Sequence, residues 1–521
     1  MSDSRYTRRT VIKTGAAGAV LGGLAAAGPA DAARRRHKKH RKGHHRKAQR
    51  NAALGSTNAD VLVVGAGFSG LMAARQLTGA GKSVIVLEAR NRVGGRSLNH
   101  DIGNGKVTEI GAQFVGPTQD HVLKLMDDLH IGKYDTYDTG MNIYYDGVSK
   151  PSRKETFSDT GPLGAAPTDP QVAAPAATLI AQMDQMSTSV PLDAPWNAAS
   201  ASDWDSQTVQ TFAQNNGGQT GGKQFQGVLE AAIEAIFGSE PRDISLLYAL
   251  FYIAASGNES NPGTFERNFN TRNGGQQWRV EGGTQRIPLT MAQQLGNRVV
   301  LGAPVRKITQ TSNGVQADTD KGTFTGKRII VAVPPHMAGR IQYSPLLPTI
   351  RDQLTQHLPA GSLMKVDAYY PKPFWRDQGL TGQVVSNVGF ARTTFDSSPP
   401  DGNPGVLMGF VGGSQNRQLG QKSPDEIKQA VLGDFANYFG DEARNPYDVV
   451  IQNWSNEEWN RGCPVALYSP GTMVDFGPAL RVPIERIHWA GTETATYWNG
   501  YMDGAVRAGE RAAAEVLAAG L

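Results

Sequence analysis

The chain has 521 residues, 39% hydrophobic and 19% charged, the balance of a globular protein with room for two or three domains around a large core. Its net charge of +5 is unevenly placed. Residues 1–50 carry fourteen of the 52 Lys/Arg and two of the 47 Asp/Glu, so the rest holds 38 basic against 45 acidic residues. Such a mildly acidic body excludes nucleic acid as the expected partner, and a single cysteine, Cys463, excludes an internal disulfide.

Taken from the start, Thr7-Arg8-Arg9-Thr10-Val11-Ile12-Lys13 fits the twin-arginine export pattern. A short Gly/Ala/Leu stretch follows to Ala27, and Ala30-Asp31-Ala32 is a small-x-small cleavage site. Residues 1–32 therefore read as a twin-arginine signal peptide, and the expected location is periplasmic, cell-wall-associated or secreted. The apolar stretch is too short and glycine-rich to span a bilayer comfortably, and Leu521 follows no apolar tail, so no transmembrane anchor is expected. Residues 33–57 form a basic, histidine-rich run whose like charges repel, which predicts a disordered linker. The alternative is a tether to a polyanionic surface.

The first ordered unit runs from Asp60 to Glu88. Asp60-Val61-Leu62-Val63-Val64 is a continuous apolar run, as a buried parallel strand requires. It enters Gly65-Ala66-Gly67-Phe68-Ser69-Gly70, a G-x-G-x-x-G, then a helix over Leu71–Leu77 and a second strand over Ser83–Leu87 ending at Glu88. Gly65 allows the tight turn, Gly67 lets backbone approach a pyrophosphate, and Gly70 lets helix and strand pack closely. The helix N-terminus offers free N–H groups to phosphates, and Glu88 can accept ribose hydroxyls. With strand, helix, strand and acid in order, the motif reads as a dinucleotide site. It does not separate FAD from NAD, and the Glu88 charge disfavours a 2′-phosphate.

Further along, Ala89-Arg90-Asn91-Arg92-Val93-Gly94-Gly95-Arg96 offers a tight glycine path and an Arg96 able to neutralise a phosphate. Glu109 to Gln119 precedes a helix over Asp120–Leu129. From Tyr134 to Arg272 the composition turns to Ala, Pro, Ser, Thr and Gln, with helical stretches at Pro170–Met186 and Phe225–Phe237: an inserted second domain. A helix over Ile287–Leu295 and strands at Arg298–Leu301, Val305–Gln310 and Arg328–Val333 return to the first. A strand at Leu363–Tyr370 containing Lys365 opens a second excursion, with a helix over Pro424–Tyr438. A final run, Ile487–Glu493, in which an apolar strand is followed by Gly, precedes a helix over Gly500–Ala518.

Val61–Gly70, Val86–Arg96, Gly111–Gln119, Tyr369–Arg376 and above all Ala490–Arg511 closely resemble the flavin-containing monoamine oxidase family. The closing segment decides for FAD over NAD. The implied fold is α/β: a doubly wound, Rossmann-like FAD-binding domain (58–133, 281–354 and 457–521) with an inserted α+β substrate-binding domain (134–280 and 355–456). The resemblance implies an FAD-dependent amine oxidase with a small-molecule amine and oxygen as partners and no metal; a homodimer is compatible with it.

Site residues carry over position by position. Lys365 matches the lysine that holds a water near flavin N5, and Tyr501 matches one wall of an aromatic cage around the amine. Trp454 and Gln276 match residues near flavin and substrate, and Phe114 stands where the family often has Tyr. For the cofactor the matching positions are Gly65, Gly67, Phe68, Ser69, Gly70, Glu88, Ala89, Arg90, Gly95, Arg96, Gly111, Ala112, Gln113, Val305, Gly491, Thr492, Glu493 and Met502. Val305 is implied as a backbone contact to adenine. Cys463 matches a cysteine that is thioether-linked to the flavin 8α-methyl; the alternative is a small buried hydrophobe. Pro464 departs from the pattern, because the second cage aromatic is expected there, leaving Tyr468, Tyr497 or Trp459 as replacements. The expected reaction is oxidative deamination of a primary amine to aldehyde, ammonia and hydrogen peroxide. Polyamine or putrescine oxidation would need a deep carboxylate, with Thr208–Glu240 as its candidate source. L-Amino-acid oxidation would need an arginine. A non-catalytic flavoprotein with a working basic tail is the alternative of another class.

Overall fold

A computed structural model describes residues 57–158, 166–218 and 222–520. The export leader and all but the last residue of the basic run lie outside the described residues. Strand β1 (Asn58–Val64) has parallel partners on both edges. On one side β2 (Val84–Leu87) pairs Val61 with Val84 through Val64 with Leu87; on the other, Gly322–Val331 pairs Val61 with Arg328 through Val64 with Val331. A strand paired on both edges and covered on both faces must be apolar throughout, which explains the unbroken Val61–Val64 run. Val61 and Val63 pack with helix α1 (Phe68–Gly79) and the closing helix (Met502–Ala518), while Leu62 and Val64 face Ile308, Ala317, Phe324 and Trp489.

The full sheet has eight strands, in the order Val299–Val300, β2, β1, Gly322–Val331, Gly314–Thr319, Val305–Thr311 and Gln342–Ser344, with Ile487–Trp489 added parallel to Gly322–Val331. A second sheet of seven runs Asp448–Asn453, Leu363–Tyr370, Gly405–Gly412, Thr393–Asp396, Leu380–Ser386, Met141–Asp146 and Arg153–Phe157. It is antiparallel except where Leu380–Ser386 meets Met141–Asp146. Helices Pro170–Ser187, Gly222–Phe237 and Leu246–Ala254 bury a common core around Leu179, Phe225, Ile233 and Leu250. Among the described residues no helix is long and apolar enough to cross a membrane.

Helix starts differ from the sequence reading at Gly222 (expected Phe225) and Arg286 (expected Ile287), and at two further places for steric reasons. Helix α1 begins at Phe68 rather than Leu71, inside the glycine motif, with Gly67 as its N-cap. That is possible because a Cβ on Gly70 would stand 2.0 Å from the Gly65 carbonyl oxygen, so only glycine lets the first turn press on the strand end. The closing helix begins at Met502, not Gly500, because Gly500 has φ +87°, outside the right-handed helical region.

Candidate active site

A cavity of about 360 Å³ opens at the C-terminal end of β1. It brings together Gly65, Gly67, Phe68, Ser69, Glu88, Arg90, Gly95, Arg96, Gly111, Ala112, Gln113, Gly491, Thr492 and Met502 with Lys365, Tyr501, Trp454, Gln276, Phe114 and Cys463. Four predicted cofactor residues do not line it: Gly70, Ala89, Val305 and Glu493. Gly70 is turned to the backbone of Gly65. Val305 packs its half-buried side chain into the cluster on the opposite face of the sheet.

The dinucleotide end is built from backbone. The first hydrogen bond of α1 runs from the Leu71 N–H to the Gly67 carbonyl, 3.0 Å, so the N–H groups of the first turn have no partner within the helix. A side chain on Gly67 would meet no atom within 4 Å, and one on Gly95 would meet only the Gly67 Cα, at 3.6 Å. Both glycines therefore leave open space where a phosphate could approach. At the tip of β2, buried Glu88 accepts from the Ala66 N–H at 2.7 Å through Oε2 and from the Arg90 N–H at 2.9 Å through Oε1. Each oxygen keeps a lone pair for a ribose hydroxyl. The donor cradle, the two open glycines and the fixed acid together fit FAD.

Arg96 lines the cavity and also has a partner the sequence did not announce. Its Nη1 donates to Glu493 Oε1 at 2.6 Å and to the Pro464 carbonyl at 2.7 Å, and Nη2 reaches Glu493 Oε2 at 3.2 Å. Its charge is thus balanced by a buried carboxylate before any phosphate arrives. Burial alone would raise the Glu493 carboxyl, but the Arg96 charge and hydrogen bonds outweigh it and hold Glu493 below the usual carboxylate range. Glu493 acts on the cavity through Arg96.

Lys365 enters from the second sheet, buried on strand Leu363–Tyr370. Its Nζ donates to the Glu109 carbonyl and to Gln113 Oε1; Gln113 Nε2 in turn donates to Ser397 Oγ at 2.9 Å. Burial lowers the lysine's pKa, with Asp367 and Glu109 opposing the shift. Trp454 is fixed by Nε1 donating to the Ile110 carbonyl, 3.0 Å. Cys463 is buried at the cavity wall, and burial pushes its thiol up to about 12, partly countered by Arg96 and Lys365.

Tyr501 caps the closing helix, and its hydroxyl donates to the Asn268 carbonyl at 2.9 Å. The aromatic beside it is none of the three expected. Tyr468 lies in the core against Tyr248, ring centroids 4.6 Å apart, and Tyr497 lies under the Arg507 guanidinium at 5.0 Å; neither lines the cavity. Trp459 does line it, with Arg306 over its ring at 5.2 Å. Two rings touch Tyr501: Trp498, edge-on at 4.8 Å and outside the cavity lining, and Tyr252, from Leu246–Ala254, which lines the cavity with centroids 5.8 Å apart and planes at 41°. Sequence reasoning missed it because that helix is apolar all round, and nothing in its pattern separates cavity-facing Tyr252 from core-facing Tyr248. Phe225, Phe265, Phe269, Phe395 and Phe410 complete an aromatic enclosure with the amides of Asn268 and Gln276.

From helix Gly222–Phe237 the lining residues are Phe225, Val228, Leu229, Ala232, Ala235 and Ile236. Glu234, on the same helix, faces Arg392 instead, 3.6 Å away. Among the described residues, the only carboxylate lining the cavity is Glu88 and the only arginines are Arg90 and Arg96, all at the dinucleotide motif or its Gly-Gly continuation.

A mixed sheet whose central strands run parallel, a glycine-rich turn feeding a cavity at their C-terminal end, and a second sheet that contributes a buried lysine define a flavin-dependent oxidoreductase. The chain belongs to the flavin containing amine oxidoreductase family, whose match covers residues 68–517. A pyridine nucleotide-disulphide oxidoreductase match covers residues 6–109. The chain is 39% identical over 459 residues to a Mycobacterium tuberculosis protein provisionally named flavin-containing monoamine oxidase AofH, covering 88% of this chain and 96% of that one. It is 36% identical to an L-amino acid dehydrogenase of Synechocystis, over 89% and 95% of the two chains. A solved putrescine oxidase bound to putrescine superposes with a TM-score of 0.81 at 31% identity, over 88% of this chain and 99% of that one. The protein is an FAD enzyme that oxidises amines.

Proposed function

We propose that the substrate is an apolar primary monoamine, converted with oxygen and water to aldehyde, ammonia and hydrogen peroxide. The observation that carries this reading is the lining beyond the dinucleotide end: aromatic and aliphatic side chains, amides, one ammonium, no carboxylate and no arginine among the described residues. A second substrate ammonium would be buried without a counter-charge, and a substrate carboxylate without an arginine; each would be costly in a dry site. Putrescine and L-amino acids are disfavoured on that ground.

FAD, when bound, supplies the hydride acceptor and returns the electrons to oxygen. The chain's own residues supply binding, orientation and a protonation state. Tyr501, pinned through its hydroxyl, and Tyr252 present ring faces to the amine. The Lys365 ammonium and the apolar walls disfavour a protonated substrate, so the amine enters with its nitrogen lone pair free. Lys365, held by Glu109 and Gln113, places a charge and proton donors at the reacting end of the cavity. We also propose a thioether between Cys463 Sγ and the flavin 8α-methyl carbon. One S–H and one C–H bond are lost, and the two electrons pass through the flavin to oxygen. Residues 1–32 are proposed as the export leader.

The deciding experiment is anaerobic flavin bleaching with benzylamine, tyramine, putrescine and an L-amino acid. The reading expects bleaching with the aromatic amines first. Faster bleaching with putrescine or the amino acid would overturn the substrate assignment, and none with any amine would favour a non-catalytic flavoprotein.

A further inference from the structure

Strand Leu363–Tyr370 sends Lys365, Asp367 and Tyr369 to one face. Strand Lys106–Glu109 packs across that face and is held at two points. Lys365 Nζ donates to the Glu109 carbonyl, and the Tyr369 and Thr108 hydroxyl oxygens lie 2.8 Å apart. Asp367 sits between these clasps. It is fully buried, and no protein group hydrogen-bonds either carboxylate oxygen. Its cross-strand neighbours are Met408 and Val450, so the position is one an apolar residue would ordinarily fill.

The charged groups facing Asp367 are Lys365 on its own strand, Glu109 from Lys106–Glu109 and Arg279 from Trp278–Val280. Arg279 donates through Nη2 to Glu109 Oε2 and through Nη1 to the Ser398 carbonyl at 2.9 Å. Glu109 Oε1 and Arg279 Nε share with Asp367 the lack of a hydrogen-bond partner. Two cations and two carboxylates are thus buried together with no net charge. Buried polar atoms left unpaired by protein are the usual seats of ordered water. An aspartate here contributes nothing to packing that Leu would not; what it contributes is charge.

We propose that Asp367 is a positioning residue: the buried counter-charge that holds Lys365 as an ammonium facing the flavin. This rests on the reading of Lys365 as the residue beside the reacting end of the cofactor. The electrostatics agree in direction. Burial lowers the Lys365 pKa and Asp367 is the strongest group opposing it, while burial pushes Asp367 up to about 6, with Lys365 and Arg279 pulling it back. Removing the Asp367 charge leaves Lys365 easier to deprotonate.

The test is a pH titration of the flavin absorption band in oxidised holoenzyme, without substrate, for the wild type, Asp367→Asn, Asp367→Leu and Lys365→Met. A charge near the ring shifts the band, so loss of the Lys365 proton appears as a pH-dependent transition. The proposal expects that transition at least one pH unit lower in Asp367→Asn and Asp367→Leu, a tenfold change in the proton equilibrium, and absent in Lys365→Met. A midpoint unmoved in both Asp367 variants, with the transition absent in Lys365→Met, would overturn the role of Asp367 and leave the placement of Lys365 standing. A transition that survives in Lys365→Met would overturn that placement and this proposal with it. If both Asp367 variants fail to fold, Asp367 is a structural residue and the proposal is wrong.

Discussion

The ion pair between Arg96 and Glu493 ties the glycine path after β2 to the segment before the closing helix, 397 residues later. Glu493→Gln is the perturbation that isolates it. The shape is kept, but the half-buried guanidinium loses its counter-charge and the new amide turns an N–H toward Nη1 or Nη2. The Glu493 side chain is 1% exposed, so water cannot replace it. Charge centres about 4 Å apart interact by about 4 kcal/mol at an effective dielectric of about 20, and breaking one side of a buried pair costs about 3–5 kcal/mol. At about 2.1 cal/mol/K of unfolding entropy per residue, a body of roughly 460 residues loses about 4 °C for 4 kcal/mol. Thermal unfolding of cofactor-free protein at neutral pH measures this. The sign with pH follows from the depressed Glu493 pKa. A carboxylate held low contributes stability that is fully present above its unfolded value of 4.5 and is lost as pH falls through the folded value. The gap between wild type and variant should therefore be full at neutral pH and close below about 4.5. A double-mutant cycle with Arg96→Met completes the test. Additive losses, or a Glu493→Gln protein within about 1 kcal/mol of wild type at neutral pH, would refute the pair as a tie across the chain.

Acid precipitation should leave flavin with the wild-type protein and release it from Cys463→Ala; release from both would exclude the thioether. Gly70→Ala puts a Cβ 2.0 Å from the Gly65 carbonyl oxygen, which is backbone, and 3.2 Å from Val63 Cγ1. The first turn of α1 must then move, so the purified protein should hold little flavin by its visible absorbance, and full loading would show the contact to be relaxed. Tyr252→Leu removes the ring facing Tyr501. A lost aromatic pair of about 0.5–1.5 kcal/mol predicts an anaerobic bleaching rate with benzylamine lower by up to about tenfold, and an unchanged rate would mean the amine does not contact that ring.

What could be read from the sequence depended on how local its cause was. The β1–α1–β2 unit was legible because each step follows from adjacent residues: an unbroken apolar run for a strand paired on both edges, glycines at the turn, an acid at the next strand's tip. The Lys365 strand was legible for the same reason, a charged residue inside an otherwise apolar run. Partnerships across the fold were not. Nothing near Arg96 in the sequence announces its pairing with Glu493. The second ring was sought beside Cys463, in Trp459 and Tyr468, and outside it in Tyr497, while the one facing Tyr501 comes from a helix some 250 residues earlier. Asp367 lies between the two cases. Its spacing from Lys365 already places both on one face of a strand, but only the crossing of Lys106–Glu109 over that face, and the arrival of Arg279, make the carboxylate part of a closed set of charges. The same topology that hides these partners from the sequence buries Lys365, Asp367, Glu109 and Arg279 together from distant segments, where a single unbalanced charge weighs far more than it would at the surface.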